Sequence, residues 1–94
     1  MTMTETQQQI TKVTEQLAKF LIEKNKRYGD SALHPINIFS KSGAADGLYK
    51  RADDKLSRIQ NNPKLQKNDV VDLMGYCTLI CIDNGWLDFT DQQD

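Results

Sequence analysis

The stretch "NDVVDLMGYCTLICI", residues 68–82, decides the fold. Its apolar side chains recur on nearly every face of a helical pattern, from Val70 to Ile80. A helix that is apolar almost all round is stable only when other elements cover it. We therefore expect this stretch to lie in the central helix of the domain, which begins near Asn68, a good N-cap residue, and ends at Gly85.

The polar residues of this helix are the informative ones. Asp69, Asp72, Tyr76 and Asp83 fall on one narrow stripe. Two carboxylates three residues apart face the same way, and they repel unless a cation lies between them or one is protonated. Magnesium, which takes oxygen ligands and bridges phosphates, suits the Asp69–Asp72 pair. Alternatively, acids in a first helical turn only complement the helix dipole, which fits Asp69 better than Asp72.

Two further helices flank this one in the sequence. Thr4 and Gln7 form a capping-box pattern at the start of a helix that ends near Tyr28. Its apolar stripe consists of Ile10, Val13, Leu17, Phe20 and Leu21. A helix from Ala44 to Gln60 has an expected buried face of Ala45, Leu48, Ala52, Leu56 and Ile59.

The connection between these two helices, residues 30–43, is long. It carries Ile36, Ile38 and Phe39, which are too apolar for a free loop, so we expect it to fold back on the core. The fold class that results is all-α: a small antiparallel bundle of three main helices with a long ordered loop.

Length and charge limit the function. A chain of 94 residues forms one domain, residues 1–94, in which 88–94 read as a frayed tail. Its core is thin, and we expect a homo-oligomer to complete it, with Trp86, Leu87 and Phe89 docking on the core or on a second subunit. A net charge of -1 does not favour direct binding to a nucleic-acid backbone. The sequence contains neither a membrane span nor a signal-peptide pattern, so a cytoplasmic location is expected.

Cationic residues recur in "YKRADDKLSRIQ", residues 49–60. Arg51, Lys55 and Arg58 would donate to a phosphate if their helix lies beside the central one. The alternative is a solvated helix face with weak ion pairs. Lys24 and Tyr28, at the end of the first helix, would meet a phosphate and stack on a base, or Lys24 would only complement the helix dipole.

Three stretches together resemble a known family: "KNKRYGDS" (24–31), "GLYKRADDKLSRI" (47–59) and "NDVVDLMGYCTLICI" (68–82). In order and spacing they resemble the nucleotide-modification-associated domain of the first type, a small all-α domain common in phage genomes. The resemblance covers residues 20–83. That family is distantly similar to the MazG-like nucleoside triphosphate pyrophosphohydrolases, which hold magnesium with acids from two neighbouring helices and usually work as dimers or larger bundles.

The resemblance implies a set of site residues drawn from all three motifs. They are Lys24, Tyr28, Gly29, Asp30, Arg51, Asp54, Lys55, Arg58, Asp69, Asp72 and Tyr76. The DxxD pair stands where MazG-like enzymes carry ExxD. Their EExxE motif is missing, because Asp53 and Asp54 are followed three residues later by Leu56 and Ser57. The magnesium cage lacks at least one carboxylate, which weakens the case for hydrolysis more than the case for binding.

Three hypotheses follow. The first is a phage-type helical protein that binds a nucleotide or a nucleotide-derived signal and sequesters it without hydrolysis. Its ligand-binding residues would be Lys24, Tyr28, Asp30, Arg51, Lys55, Arg58 and Tyr76. The second is a magnesium-dependent pyrophosphohydrolase with Asp54, Asp69 and Asp72 as metal ligands. The third is a structural or adaptor protein whose charged stripes only specify oligomer register.

Overall fold

Three helices make up the fold in the computed structural model, which describes residues 2–35, 37 and 43–92. They are α1 (Glu5–Tyr28), α2 (Ala44–Asn61) and α3 (Lys67–Asp83), and the described residues contain no strand. The all-α prediction is confirmed.

The ends of α1 follow the local sequence. Thr4 Oγ1 accepts from the backbone N–H of Gln7 at 3.1 Å, and the Gln7 side chain accepts from the Thr4 N–H at 3.0 Å, so the capping box is confirmed. Gly29 ends the helix with φ 69° and ψ -162°. Its φ is positive and its ψ lies outside the left-handed helical region, in a conformation open essentially to glycine alone.

The ends of α3 differ in how well the sequence predicted them. The helix begins at Lys67 with Gln66 as the N-cap, so Asn68 lies inside the first turn and its prediction as N-cap is wrong. At the other end, Trp86 N–H donates to Cys81 O at 2.8 Å and Gly85 N–H to Ile82 O at 3.0 Å. With Gly85 at φ 74°, this is a Schellman termination, which explains why the helix ends where a glycine stands.

α2 and α3 form an antiparallel helical hairpin that contains most of the packing between helices. Leu48 is completely buried, while Ala45, Ala52 and Ile59 are half-buried. The predicted buried position of Leu56 is wrong, since its side chain is 52% exposed. Lys55 takes the place expected of an apolar residue and is only 9% exposed. The buried positions thus alternate at spacings of three and four, and Leu56 lies about 100° away from Lys55 around the helix.

α1 lies antiparallel to α3 and contacts it through its C-terminal half. Leu21 approaches Gly75, and Lys24 lies beside Asp72. No side chain of α1, all of which is described, is buried. The predicted burial of the α1 stripe is therefore wrong for most of its length: Leu17 and Leu21 are half-buried, whereas Ile10 and Val13 are more than half exposed.

The connection and the tail complete the described chain. Gly29 to Leu33 form turns, whereas Ile36, Ile38 and Phe39 lie outside the described residues, so their predicted folding back is not addressed. Trp86, Leu87 and Phe89 are 57–79% exposed, so docking on the core of their own chain is wrong, and docking on a second subunit stays a prediction. None of the helices in the described part of the chain has the length and apolarity needed to cross a bilayer.

Candidate functional site

A pocket of about 200 Å³ opens where side chains from all three helices meet. Its walls come from the C-terminal half of α1, the turn at Gly29–Ala32, Arg51 of α2 and one face of α3. Its apolar lining consists of Phe20, Leu21, Val71, Gly75 and Leu79. Gly75 lets the Leu21 side chain lie close to α3, because a Cβ atom at residue 75 would lie only 2.9 Å from Leu21 Cδ2.

Two tyrosines from different helices line the pocket. Tyr28 is contributed by the last turn of α1 and is 63% exposed, and Tyr76 is contributed by α3 and is half-buried. An aromatic ring beside an apolar pocket offers a stacking surface to a flat ligand. The site therefore combines an apolar interior with two amphipathic rings.

Two cations line the same pocket, and they differ in availability. Lys24 Nζ lies 3.6 Å from Asp72 Oδ1 and 4.9 Å from the centre of the Phe20 ring, so it already has partners. Arg51 is exposed and takes part in no ion pair among the described residues. Arg51 is thus the cation best placed to meet an incoming anion.

Beside the pocket, between α2 and α3, lies a group of charges that we call the Lys55 cluster: Lys55, Arg58, Asp69 and Asp72. Lys55 Nζ is 3.0 Å from Asp72 Oδ2 and 3.7 Å from Asp69 Oδ1. Arg58 Nη1 is 3.9 Å from the same Asp69 oxygen. The cation that two neighbouring carboxylates require is supplied, in this chain, by a lysine from the facing helix.

The two acids of the cluster are held differently. Asp69 is only 3% exposed, and its Oδ1 forms no hydrogen bond among the described residues. For Asp72, burial alone would raise the pKa, but the hydrogen bond from Lys55 and the positive charges of Lys24 and Lys55 outweigh it and leave the pKa below its usual value. Asp72 is therefore a carboxylate that joins all three helices.

The predicted magnesium ligands do not converge. Asp54 is exposed, does not line the pocket and takes part in no described ion pair. No group of three or more acids, histidines or cysteines in residues 2–35, 37 and 43–92 is arranged to hold a metal ion. Asp69 and Asp72 do lie together, but with the Lys55 ammonium between them. The predicted set of three ligands is therefore not assembled, because Asp54 lies apart and Lys55 lies between the other two acids.

Asp30 helps to fix the turn that forms one wall of the pocket. Its Oδ1 accepts from Asn25 Nδ2 at 3.0 Å, and its Oδ2 lies 3.3 Å from His34 Nε2. Asn25 Nδ2 also donates to Gly29 O at 3.4 Å. Asp30 thus stabilises the Gly29–Ala32 turn in addition to lining the pocket.

The structure divides the predicted site residues into two groups. Those that line the pocket are Lys24, Tyr28, Gly29, Asp30, Arg51, Asp72 and Tyr76; those that do not are Asp54, Lys55, Arg58 and Asp69. Sequence reasoning missed the roles of Phe20 and Leu21, which it assigned to a buried stripe, and of Gly75. Gly75 carried a signal, because a glycine inside a helix without a terminus nearby often marks a close approach.

Comparison of the chain with protein-family models, curated proteins and solved structures finds no match. The resemblance to the nucleotide-modification-associated domain and to MazG-like enzymes therefore stays a prediction.

Proposed function

We propose that the pocket binds the base of a nucleotide, with Arg51 and Lys24 contacting its phosphates. The observation that carries this proposal is that one pocket gathers seven predicted site residues from three sequence motifs. An apolar interior, two tyrosines and two cations at one opening suit a ligand with a flat ring and an anionic tail.

The size of the pocket supports a binding mode in which the base lies inside the pocket and the phosphates lie outside it. Pockets that enclose a drug-sized ligand measure about 300–1,000 Å³. At about 200 Å³, this one is large enough for a ring system but not for a whole nucleotide. The phosphates would then lie outside, within reach of exposed Arg51, whose planar guanidinium presents paired donors to phosphate oxygens.

We further propose that the protein holds the nucleotide, or a nucleotide-derived signal, without hydrolysing it. The support is the Lys55 cluster: an ammonium lies 3.0 Å from Asp72, where a hydrolase of this kind would require a metal. Of the ligand-binding residues predicted from the sequence, Lys55 and Arg58 would act indirectly, since both face Asp69 beside the pocket. A carboxylate pair that is already neutralised does not repel the phosphates of a ligand.

Isothermal titration calorimetry against linear and cyclic nucleotides tests the proposal. Arg51→Gln should weaken binding by about 10- to 100-fold, the equivalent of one charge-assisted hydrogen bond. Lys50→Gln is the matched control, because Lys50 neighbours Arg51 but pairs with Asp46 on the exposed face of α2 and does not line the pocket. Absence of binding by every nucleotide, or equal effects of the two variants, would remove the proposal.

A second candidate is a magnesium-dependent pyrophosphohydrolase. One observation favours it: Asp69 Oδ1 is a buried acceptor with no hydrogen bond, beside a second carboxylate one turn away. Release of pyrophosphate from a nucleoside triphosphate in the presence of magnesium, abolished by Asp72→Asn, would support this candidate over sequestration. No turnover in excess magnesium, together with measurable binding, would leave sequestration in place.

A further inference from the structure

The N-terminal half of α1 has no partner among the residues that the structure describes. Every residue from 2 to 16 is exposed, including Ile10 at 58% and Val13 at 54%. Leu21 approaches Gly75 and Lys24 pairs with Asp72, so in the antiparallel register the last residue of α3, Asp83, lies about level with Val13. The part of α1 from Glu5 to Val13, about 12 Å at a rise of 1.5 Å per residue, therefore projects past the end of α3.

The charges of this projecting part lie away from its apolar side. Ile10, Val13 and Leu17 lie on one side of the helix, and the charged residues of the same segment lie on the opposite side: Glu5, Lys12, Glu15 and Lys19. The two flanks between them are neutral, with Thr14 and Gln7 on one and Gln9 and Gln16 on the other. A membrane-surface helix would place basic residues on its polar flanks, so the arrangement does not favour anionic lipid.

Neutral flanks are what a helix needs in order to pair with its own copy. Like charges beside an apolar seam repel when two identical helices approach, and α1 has none beside Ile10 and Val13. A two-fold interface brings the same patch of both chains together, so the patch has to be complementary to itself. An apolar strip with uncharged flanks meets that condition.

The chain exposes more surface than a compact monomer of its mass. The chain exposes 7991 Å², whereas a compact monomer of its mass, 10.7 kDa, exposes about 5,500 Å². The excess of about 2,500 Å² belongs to the chain as a whole, and the exposed N-terminal half of α1 contributes only part of it, as do the exposed side chains of Trp86, Leu87 and Phe89. The radius of gyration, 15.5 Å, also exceeds the value of about 12 Å for a compact chain of this length.

We propose that the apolar side of α1 from Met3 to Leu17 is an interface with a second copy of this chain, formed by the same helix of the other copy. The strip continues into Phe20 and Leu21, which line the pocket against α3, so the second copy would occupy the place along α1 that α3 leaves open. The interface does not depend on nucleotide binding, and loss of either property leaves the other intact.

Sedimentation velocity over a range of concentrations tests this interface. The test variant is Ile10→Glu with Val13→Glu, which places two carboxylates from each copy in the centre of the contact. The matched control is Lys12→Gln with Lys19→Gln, which lowers the net charge by the same two units on the opposite face of α1. Because Ile10 and Val13 are more than half exposed in the single chain, circular dichroism should show that the test variant still folds.

The wild-type chain and the control should sediment as dimers or larger assemblies, and the test variant should associate at least about 100-fold more weakly. A monomeric wild-type chain, or equal association of the test variant and the control, would overturn the proposal. Co-sedimentation of a monomeric wild-type chain with anionic phospholipid vesicles would overturn it in favour of a membrane surface.

Discussion

Replacing Lys55 with methionine tests whether the Lys55 cluster holds α2 against α3. The substitution keeps most of the side-chain volume and removes the ammonium that lies between Asp69 and Asp72. Asp69 would then keep only the guanidinium of Arg58, at 3.9 Å and on a side chain that is 59% exposed. Asp72 would keep Lys24 at 3.6 Å.

The expected loss follows from burial. Removing one partner of a buried ion pair costs about 3–5 kcal/mol, because a charge is left without compensation. The side chains of Lys55 and Asp69 are 11% and 4% exposed, so solvent screens the pair little. Since Arg58 and Lys24 remain, we expect the lower end, about 3 kcal/mol, which corresponds to a fall in Tm of about 12–24 °C for a domain of this size.

Urea unfolding followed by circular dichroism gives the comparison. Lys50→Met is the control on the same helix, because its pair with Asp46 is exposed and should be worth no more than about 0.5 kcal/mol. Adding Asp69→Leu to Lys55→Met should restore most of the lost stability, since an apolar replacement of both partners leaves no buried charge unpaired. If Lys55→Met were no more destabilising than Lys50→Met, the cluster would not stabilise the hairpin.

Three further predictions concern stability. The native pKa of Asp72 lies below its usual value of 3.8, so ionised Asp72 stabilises the fold fully above pH 3.8. This stabilisation is lost as the pH falls through the lower native pKa. Acid unfolding of Asp72→Asn should therefore depend less on pH in that range than acid unfolding of the wild-type chain. Gly47→Ala should raise the free energy of unfolding by about 0.5–1 kcal/mol, because its new Cβ atom meets open space. Gly75→Ala should raise the free energy of unfolding by less, because Leu21 has to move. Equal urea midpoints of the two variants would contradict this prediction. Gly85→Ala should lower thermal stability by about 1 kcal/mol, since alanine is strained at φ 74°, and an unchanged Tm would contradict the Schellman termination.

Local sequence signals predicted the helices well, because each helix end depends on a few adjacent residues. Thr4 with Gln7 and Gly85 with its neighbours set their termini through short-range hydrogen bonds. Asn68 failed as an N-cap because the helix begins one residue ahead of it. Such an error of one turn or less is typical where several residues could start a helix.

The register of α2 was mispredicted for a different reason. The helical periodicity favoured Leu56 over its neighbour Lys55 as the buried residue, because a lysine is almost never buried without partners. The partners of Lys55 are Asp69 and Asp72, on another helix, and no local pattern shows that they face it. The two acids read as a cation site in the sequence, and the structure shows that the cation is a side chain of the same protein.

The pocket could be predicted only in part. Lys24, Tyr28 and Tyr76 carried chemical signals that marked them as site residues, and they do line it. Phe20 and Leu21 carried only an apolar signal, which is the same for a pocket wall and for a core. The difference between the two depends on whether anything covers the helix, and this is a property of the whole fold.

Amide chemical-shift mapping during a nucleotide titration tests the central claim most directly. If the pocket holds the base, the perturbed amides should cluster in residues 20–32 and 71–79 and around Arg51, while residues 86–92 stay unchanged. Shifts confined to the tail, or none with any nucleotide in the panel, would contradict the account.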